Sequence, residues 1–187
     1  SMNASFLSKR TVDAIHQSGK QVFAWTVNNQ ASIKNLTNKG VDNIITFDAH
    51  DARVQNATPL HGFETIQPAY QFMKALLKNE KGLHIDNDHF MIISPDEGSM
   101  NRAIYLANVL GVDMGMYYRR LDYTRTVKGR HPIAAYEFLG PKLEGKDMIL
   151  IDDMISSGDS IIEVATELKR RKANRIFVVA TFGLFTN

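Results

Sequence analysis

Short apolar runs that alternate with amphipathic stretches are the feature that most constrains the fold of this 187-residue chain. Their lengths and periods predict strands over 21–27, 41–50, 112–120 and 175–183, helices over 29–40 and 67–78, and strand-turn-helix units over 89–111 and 147–173. Repeated units of this kind predict an α/β protein with a mainly parallel sheet and helices on both faces. Ligands of such sheets bind at the carboxyl ends of the strands. The segment 123–146, rich in glycine and charge, is expected to form a mobile loop or a hairpin.

The composition of the chain argues against several classes of protein. A hydrophobic share of 44% suits one compact domain, with room for a partial second one. The formal net charge of +2 is too near neutral to indicate a nucleic-acid or membrane partner. The chain has no cysteine, so disulfides and thiolate sites are excluded, and no apolar run reaches the length of a membrane span. A cytoplasmic location is therefore the default expectation.

The stretch MILIDDMISSGDSI, residues 148–161, carries the clearest chemistry. We predict a buried strand over 148–151, with Asp152 and Asp153 emerging at its end and a turn over 156–160 that leads into a helix at Ile161. Such a turn aims backbone N–H groups and hydroxyls at one point, which suits a phosphate. Neighbouring carboxylates can hold sugar hydroxyls or a divalent cation. A plain N-capping loop is the alternative, and the paired acids favour a phosphorylated sugar.

The same stretch carries a resemblance to a known family. ILIDDMISSGDS resembles the phosphoribosyl-diphosphate (PRPP) signature of type I phosphoribosyltransferases and of ribose-phosphate diphosphokinases, the PRPP synthetases. IISPDEGSMNRA, TFDAHDARVQN and ATFGLF are similar to the synthetases only. The resemblance begins near Gly40 and implies a type I phosphoribosyltransferase-like domain over 47–187. It also implies transfer of the diphosphoryl group of ATP to ribose 5-phosphate with Mg²⁺, in a homo-oligomer.

The resemblance implies a role for each matching residue. The loop that holds the 5-phosphate is matched by Ser156, Ser157, Gly158, Asp159 and Ser160. Asp152 and Asp153 match the acids that bind the ribose hydroxyls. Asp96 of SPDEG matches an acid on the neighbouring strand that also contacts the sugar, although that motif taken alone would be an ordinary turn. His50 matches a magnesium-site histidine, and Arg119 and Arg120 match the basic residues of the catalytic flexible loop.

The chain also departs from the synthetase pattern. Arg119 stands where the family usually has lysine, which keeps the charge but changes its geometry. The FxDGE-like and RQD-like stretches of the N-terminal ATP-binding domain do not occur, so ATP is a doubtful partner. The chain stops at Asn187, before the last elements expected of the C-terminal domain. We therefore expect a truncated or fused synthetase-like protein that binds ribose 5-phosphate or PRPP and is weak or inactive alone.

The N-terminal segment carries a second resemblance. GKQVFAWTVNNQASIKNLTNKGVDNIIT, residues 19–46, is similar to the last barrel segment of glycerophosphodiester phosphodiesterases. The catalytic residues of that family lie in earlier strands that have no counterpart here, so its activity is not transferred. We predict a strand-helix-strand segment over 1–46, a remnant or fusion, joined to the synthetase-like domain at 47–187.

Two other functions stay open on sequence grounds. A non-catalytic synthetase-like regulatory subunit would keep DDMISSGDS and bind sugar phosphate without turnover. A salvage phosphoribosyltransferase would need a base-binding hood or a C-terminal base-recognition segment, for which the sequence offers no candidate.

Overall fold

The computed structural model describes residues 1–25, 27, 30–121, 123–126 and 133–186 of the chain. Two compact units make up the chain, Ser1–Tyr70 and Gln71–Asn187. In the described residues, no helix combines the length and apolar character needed to cross a membrane.

The first unit is a small parallel α/β layer. Its four strands, in spatial order, are β1 (Met2–Asn3), β2 (Phe23–Trp25), β3 (Asn43–Phe47) and β4 (Gly62–Ile66). Two α-helices, α1 (Lys9–Gln17) and α2 (Gln30–Asn38), and short 3-10 helices at Ala4–Phe6 and Ala52–Ala57 connect them. Fully buried aliphatic side chains from strands and helices form its core, among them Val12, Ala24 and Ile44.

Local signals set the helix ends of this unit. Ser8 caps α1, because its side chain accepts a hydrogen bond from the Thr11 backbone N–H at 3.1 Å. Gly40, with φ of +78°, follows α2 in the left-handed conformation that glycine adopts without steric cost. The helix ends at Asn38, two residues before the predicted end, and Gly40 closes the turn that follows it.

The second unit contains a larger sheet. Its five strands lie in the order β7, β6, β5, β8, β9, and all neighbours are parallel except the antiparallel pair β6 and β7. The strands are β5 (Phe90–Ser94), β6 (Asp113–Leu121), β7 (Ile133–Leu139), β8 (Asp147–Ile155) and β9 (Ile176–Gly183). The helices are α3 (Ala69–Asn79), α4 (Met100–Leu110) and α5 (Asp159–Arg170), and the division between the units falls within α3.

The core of the second unit lies on its two central strands. Every residue of β5 is buried, as expected of a parallel strand covered on both faces. Helix α5 packs its apolar stripe, Ile161, Val164 and Leu168, against alternate residues of β5 and β8. Each fully buried aliphatic side chain of this kind contributes roughly 1.5–3 kcal/mol. The predicted α/β class with a mainly parallel sheet is confirmed.

Several predicted boundaries are corrected. Strand β8 continues to Ile155 rather than ending at Ile151, because β9 pairs with it as far as the Ile155 to Gly183 register. Helix α5 begins at Asp159, two residues before the predicted start at Ile161. The segment 123–146 contributes the second arm of a hairpin, β7, while residues 127–132 lie outside the described residues.

The compact units divide later in the chain than the predicted domain boundary. Strand β4 pairs in parallel with β3 over five residues, for example Ile44 with Phe63. This pairing places the segment up to Ile66 in the N-terminal sheet, whereas the predicted boundary was after Thr46. The assignment of 1–46 and 47–187 to two ancestral families remains a prediction about origin, distinct from the division into compact units.

Candidate functional site

A cleft of about 130 Å³ lies at the carboxyl ends of β5 and β8. Its polar lining brings Asp96 together with Asp152 and the turn 156–160, which lie more than fifty residues further along the chain. The remaining lining residues are Pro95, Met154, Ile155 and Ile161. Because β5 and β8 are parallel neighbours, the turns that follow them meet at the same edge of the sheet.

The turn between β8 and α5 is open to a ligand. Its serines, Ser156, Ser157 and Ser160, are exposed. Gly158 adopts a left-handed conformation with φ of +88°, and no side chain caps the helix that follows. The first-turn N–H groups of a helix have no acceptor within the helix, which makes them available to an anion. In α5, the Asp159 N–H donates to Ser157 Oγ at 3.4 Å. Asp159 is occupied within the turn, where it accepts a hydrogen bond from Ser157 Oγ at 2.9 Å.

The turn between β5 and α4 is closed by its own hydrogen bonds. Asp96 Oδ1 accepts from the backbone N–H groups of Gly98 at 2.9 Å and Ser99 at 3.2 Å. Ser94 Oγ donates to the backbone oxygen of Asp96 at 2.6 Å. Both serines are buried, at 0% and 2% exposure. Asp96 thus has the structural role that an isolated SPDEG motif suggests, and its carboxylate also lines the cleft.

Asp152 presents a constrained carboxylate to the cleft. Its Oδ1 accepts hydrogen bonds from Ser99 Oγ at 2.6 Å and from the Asp153 backbone N–H at 2.9 Å. Burial raises the pKa of Asp152 above its ordinary value, and the negative charges of Asp153 and Asp96 add to this. The hydrogen bond from Ser99 acts in the opposite direction on the pKa. The site therefore holds an acid whose pKa lies above that of an ordinary aspartate.

Asp153 lies away from the cleft. Adjacent residues of a strand point to opposite faces, and both acids fall within β8 rather than after it. The Asp153 carboxylate is 6% exposed, and its Oδ2 lies 3.6 Å from the guanidinium of Arg102 on α4. The structure therefore separates the two acids that the sequence suggested as a pair, and Asp153 forms a buried ion pair between strand and helix.

Arg119 and Arg120 belong to β6, beyond the part that pairs with β5. The last register pair of these strands is Ser94 with Met116, so the two arginines follow roughly 10 Å further along β6. The Arg120 side chain is 62% exposed, with its Nε 3.6 Å from Glu137 Oε1 on β7. The side chain of Arg119 lies outside the described residues. Arg120 is not among the residues that line the cleft.

His50 belongs to the first compact unit. It is exposed and lies between β3 and the 3-10 helix Ala52–Ala57. Asp48, beside it in sequence, is buried and has a positive φ of +46°. Among the residues that the structure describes, no three histidine, cysteine, aspartate or glutamate side chains form a group that could hold a metal. The role of His50 in magnesium binding stays a prediction.

Sequence reasoning missed two residues that contact the acids of β8, Ser99 and Arg102. Arg102 carried a readable signal, because it occupies the buried stripe of α4 together with Ala103 and Leu106. An arginine in an apolar stripe needs a buried partner. Ser99 had no comparable signal, since a serine directly before a helix is most often its N-cap.

The second unit and its cleft define a phosphoribosyltransferase-type protein. The profile of the phosphoribosyl transferase domain matches residues 63–183, and the chain belongs to this family. The profile of the glycerophosphoryl diester phosphodiesterase family matches residues 1–52. That second match covers the segment whose sequence resembles a barrel end.

Within the family, the chain is similar to ribose-phosphate pyrophosphokinases. It is 30% identical over 152 residues to the enzyme of Pasteurella multocida, covering 81% of this chain and 44% of the relative. It is 32% identical over 143 residues to ribose-phosphate pyrophosphokinase 5 of Schizosaccharomyces pombe, covering 76% and 38%. The chain thus spans less than half the length of these relatives. The phosphoribosylpyrophosphate synthetase of Mycobacterium smegmatis shares the fold, with a TM-score of 0.65, 18% identity, and coverage of 96% of this chain and 60% of that one.

Proposed function

We propose that this chain binds ribose 5-phosphate or PRPP in the cleft between the β5 and β8 turns. The observation that carries the proposal is the meeting of a donor-rich, uncapped turn with two acidic side chains, Asp96 and Asp152, in one cleft. This arrangement offers donors to an anion at one end and acceptors to hydroxyl groups at the other. A phosphorylated sugar carries both kinds of group on one small molecule.

The phosphate end is the turn 156–160. Hydrogen bonds to a charged group contribute roughly 1.5–3 kcal/mol each, whereas the exposed dipole of a helix contributes at most about 1 kcal/mol. Donor geometry should therefore dominate the affinity. Gly158 leaves space for the anion, since a Cβ built there meets only Ile155 Cγ2, at 3.8 Å.

The sugar end is formed by Asp152 and Asp96. Two carboxylates close to a phosphate would repel it, so they are expected to face the hydroxyl groups of the ribose. A hydroxyl donor would favour the ionised form of Asp152, which the unliganded cleft disfavours. Ligand binding should then lower the pKa of Asp152.

Magnesium fits the same donor set as a companion of the substrate. Mg²⁺ keeps several waters and is usually held by one or two carboxylates together with substrate phosphates. Asp96 and Asp152 offer such oxygens in the cleft. The magnesium role that the family resemblance implies for His50 is a separate proposal, because His50 lies in the other compact unit. When bound, the ion would supply positive charge to the diphosphate oxygens. The chain's own residues supply position and hydrogen bonds.

We further propose that the 187 residues alone bind the sugar phosphate with little or no diphosphoryl transfer. The named relatives are pyrophosphokinases, but this chain spans less than half of their length and lacks the ATP-binding stretches of the family. Phosphoryl transfer depends on holding donor and acceptor in line, so missing donor contacts remove most of the rate. Arg119→Lys should therefore not restore turnover.

The first test measures thermal unfolding with increasing ribose 5-phosphate. A ligand at about 100 times its dissociation constant stabilises a protein by about 2.7 kcal/mol. Gly158→Val should abolish this stabilisation, because the side chain blocks approach to the backbone and the φ of +88° is strained for valine. Gly145→Val is the matched control, since Gly145 has a φ of +79° and open space but lies outside the cleft. Equal stabilisation of both variants by the ligand would disprove the phosphate site.

The second test separates the candidate activities. The purified chain is incubated with ribose 5-phosphate, Mg²⁺ and ATP, and separately with PRPP and purine or pyrimidine bases. We expect binding without product in both reactions, which is the behaviour of a non-catalytic subunit. Robust PRPP formation would overturn the proposed lack of turnover, and nucleotide formation would identify a salvage phosphoribosyltransferase.

A further inference from the structure

Ser99 connects the two acids of the cleft. Its backbone N–H donates to Asp96 Oδ1 at 3.2 Å, and its hydroxyl donates to Asp152 Oδ1 at 2.6 Å. The side chain is buried, at 2% exposure, and it stands directly before α4. One residue thus makes hydrogen bonds to both carboxylates that face the ligand.

The hydroxyl of Ser99 does not have the usual role of a serine in its position. A serine before a helix normally accepts a hydrogen bond from a backbone N–H of the first turn. Ser99 has a helical conformation, with φ of −92° and ψ of 0°, and makes no such capping bond. Its hydroxyl is donated to a carboxylate on another strand, 53 residues further along the chain. Helix α4 therefore begins without a side-chain cap, and the Asp152 carboxylate accepts the hydrogen bond of the Ser99 hydroxyl instead.

The contacts of Asp152 decide which of its oxygens faces the ligand. Oδ1 accepts from Ser99 and from the Asp153 backbone. Within the described part of the chain, no residue donates to Asp152 Oδ2. With Oδ1 held by two donors, the rotation of the carboxylate is fixed and Oδ2 is the oxygen available to the cleft.

We infer that Ser99 is a positioning residue that fixes Asp152, and through it sets the preference of the cleft for a hydroxylated sugar over a plain phosphate ester. This inference rests on the proposed function of the cleft. Among the described residues, Ser99 makes no hydrogen bond to the turn 156–160, so its effect should fall on the sugar end alone. Its loss should leave Asp152 free to turn between orientations.

The experiment compares the affinities of two ligands by calorimetry. Ribose 5-phosphate carries ring hydroxyls, whereas tetrahydrofurfuryl phosphate carries a ring and a phosphate but no ring hydroxyls. We expect the parent chain to prefer ribose 5-phosphate, and Ser99→Ala to lower this preference by about fivefold to tenfold, as weakening one hydrogen bond to a charged group would. Affinity for tetrahydrofurfuryl phosphate should be unchanged.

Two further variants separate positioning from a loss of stability. Ser94→Ala removes another buried hydroxyl of the same turn, one that donates to a backbone oxygen, and should retain the preference. In an Asp152→Ala background, Ser99→Ala should cause no additional loss of preference, because Ser99 acts through Asp152. A fully additive second loss would show that Ser99 does not act through this acid.

The outcomes distinguish this inference from the proposed function. If the parent binds neither phosphate ester, the proposed function fails and the inference fails with it. If the parent prefers ribose 5-phosphate and Ser99→Ala retains the full preference, only the inference on Ser99 is overturned. If the parent binds both esters equally, the phosphate turn stands, but the sugar contacts of Asp152 and the role of Ser99 are both disproved.

Discussion

Two strand-to-helix turns meet at the same edge of the sheet and differ in how their polar groups are used. In the β5–α4 turn, buried serines and the Asp96 carboxylate satisfy one another at distances of 2.6–3.2 Å. In the β8–α5 turn, the serines are exposed and the helix has no side-chain cap. The comparison teaches that a ligand site can combine a rigid turn that holds acceptors with an open turn that offers donors.

The largest change in stability is expected from breaking the ion pair between Asp153 on β8 and Arg102 on α4. Asp153→Ala leaves the buried Arg102 without its ion-pair partner on β8 and should lower the free energy of unfolding by about 3–5 kcal/mol. Urea denaturation checks the value. Asp159→Ala, in the exposed open turn, is the control and should cost no more than about 1 kcal/mol. Similar losses for the two variants would contradict the buried role of Asp153.

A smaller change in stability should distinguish the β5–α4 turn from the β8–α5 turn. Ser94→Ala removes a buried hydrogen bond to the Asp96 backbone oxygen, and this loss should cost about 0.5–1.5 kcal/mol of unfolding free energy. Ser157→Ala removes an exposed hydroxyl and should change stability by no more than about 0.5 kcal/mol. The pair is compared in one denaturation series without ligand. Equal losses of unfolding free energy for Ser157→Ala and Ser94→Ala would show that the two turns do not differ in how they use their serines.

The smallest change in stability is expected from Asp152→Asn, and this variant should be more stable than the parent. The asparagine oxygen can still accept from Ser99 and from the Asp153 backbone, while the disfavoured charge is removed. A pKa raised in the folded state means that the parent loses stability as pH rises from the ordinary value of 3.8 through the raised pKa. The unliganded variant should therefore melt higher than the parent near neutral pH.

The pH dependence provides the check on this gain. The difference between Asp152→Asn and the parent should shrink as pH falls to 3.8 and disappear well below it, where Asp152 is protonated in both states of the parent. The same variant should bind ribose 5-phosphate more weakly, since a neutral amide is a poorer acceptor. A variant that is less stable than the parent at neutral pH would show that Asp152 is not held in a disfavoured charge state.

The sequence predicted the architecture because its signals are local. The apolar runs of β5 and β8 and the stripe of α5 have the periods of a strand and of a helix, and parallel neighbours bring the two following turns together. Strand ends were less predictable. Asp152 and Asp153 interrupt the apolar run of β8, yet pairing with β9 extends the strand through both of them.

By itself, the sequence determined the elements, their order, and the residue types that a sugar phosphate would need in the cleft. Tertiary structure alone decided the orientation of those residues. Asp153 turns inward to Arg102 because neighbouring strand residues alternate between faces, and Ser99 donates to Asp152 because α4 begins beside β8. These contacts join residues about fifty positions apart, and no local period of the chain encodes them. They arise because buried charges and hydroxyls must find partners wherever packing of the core places them.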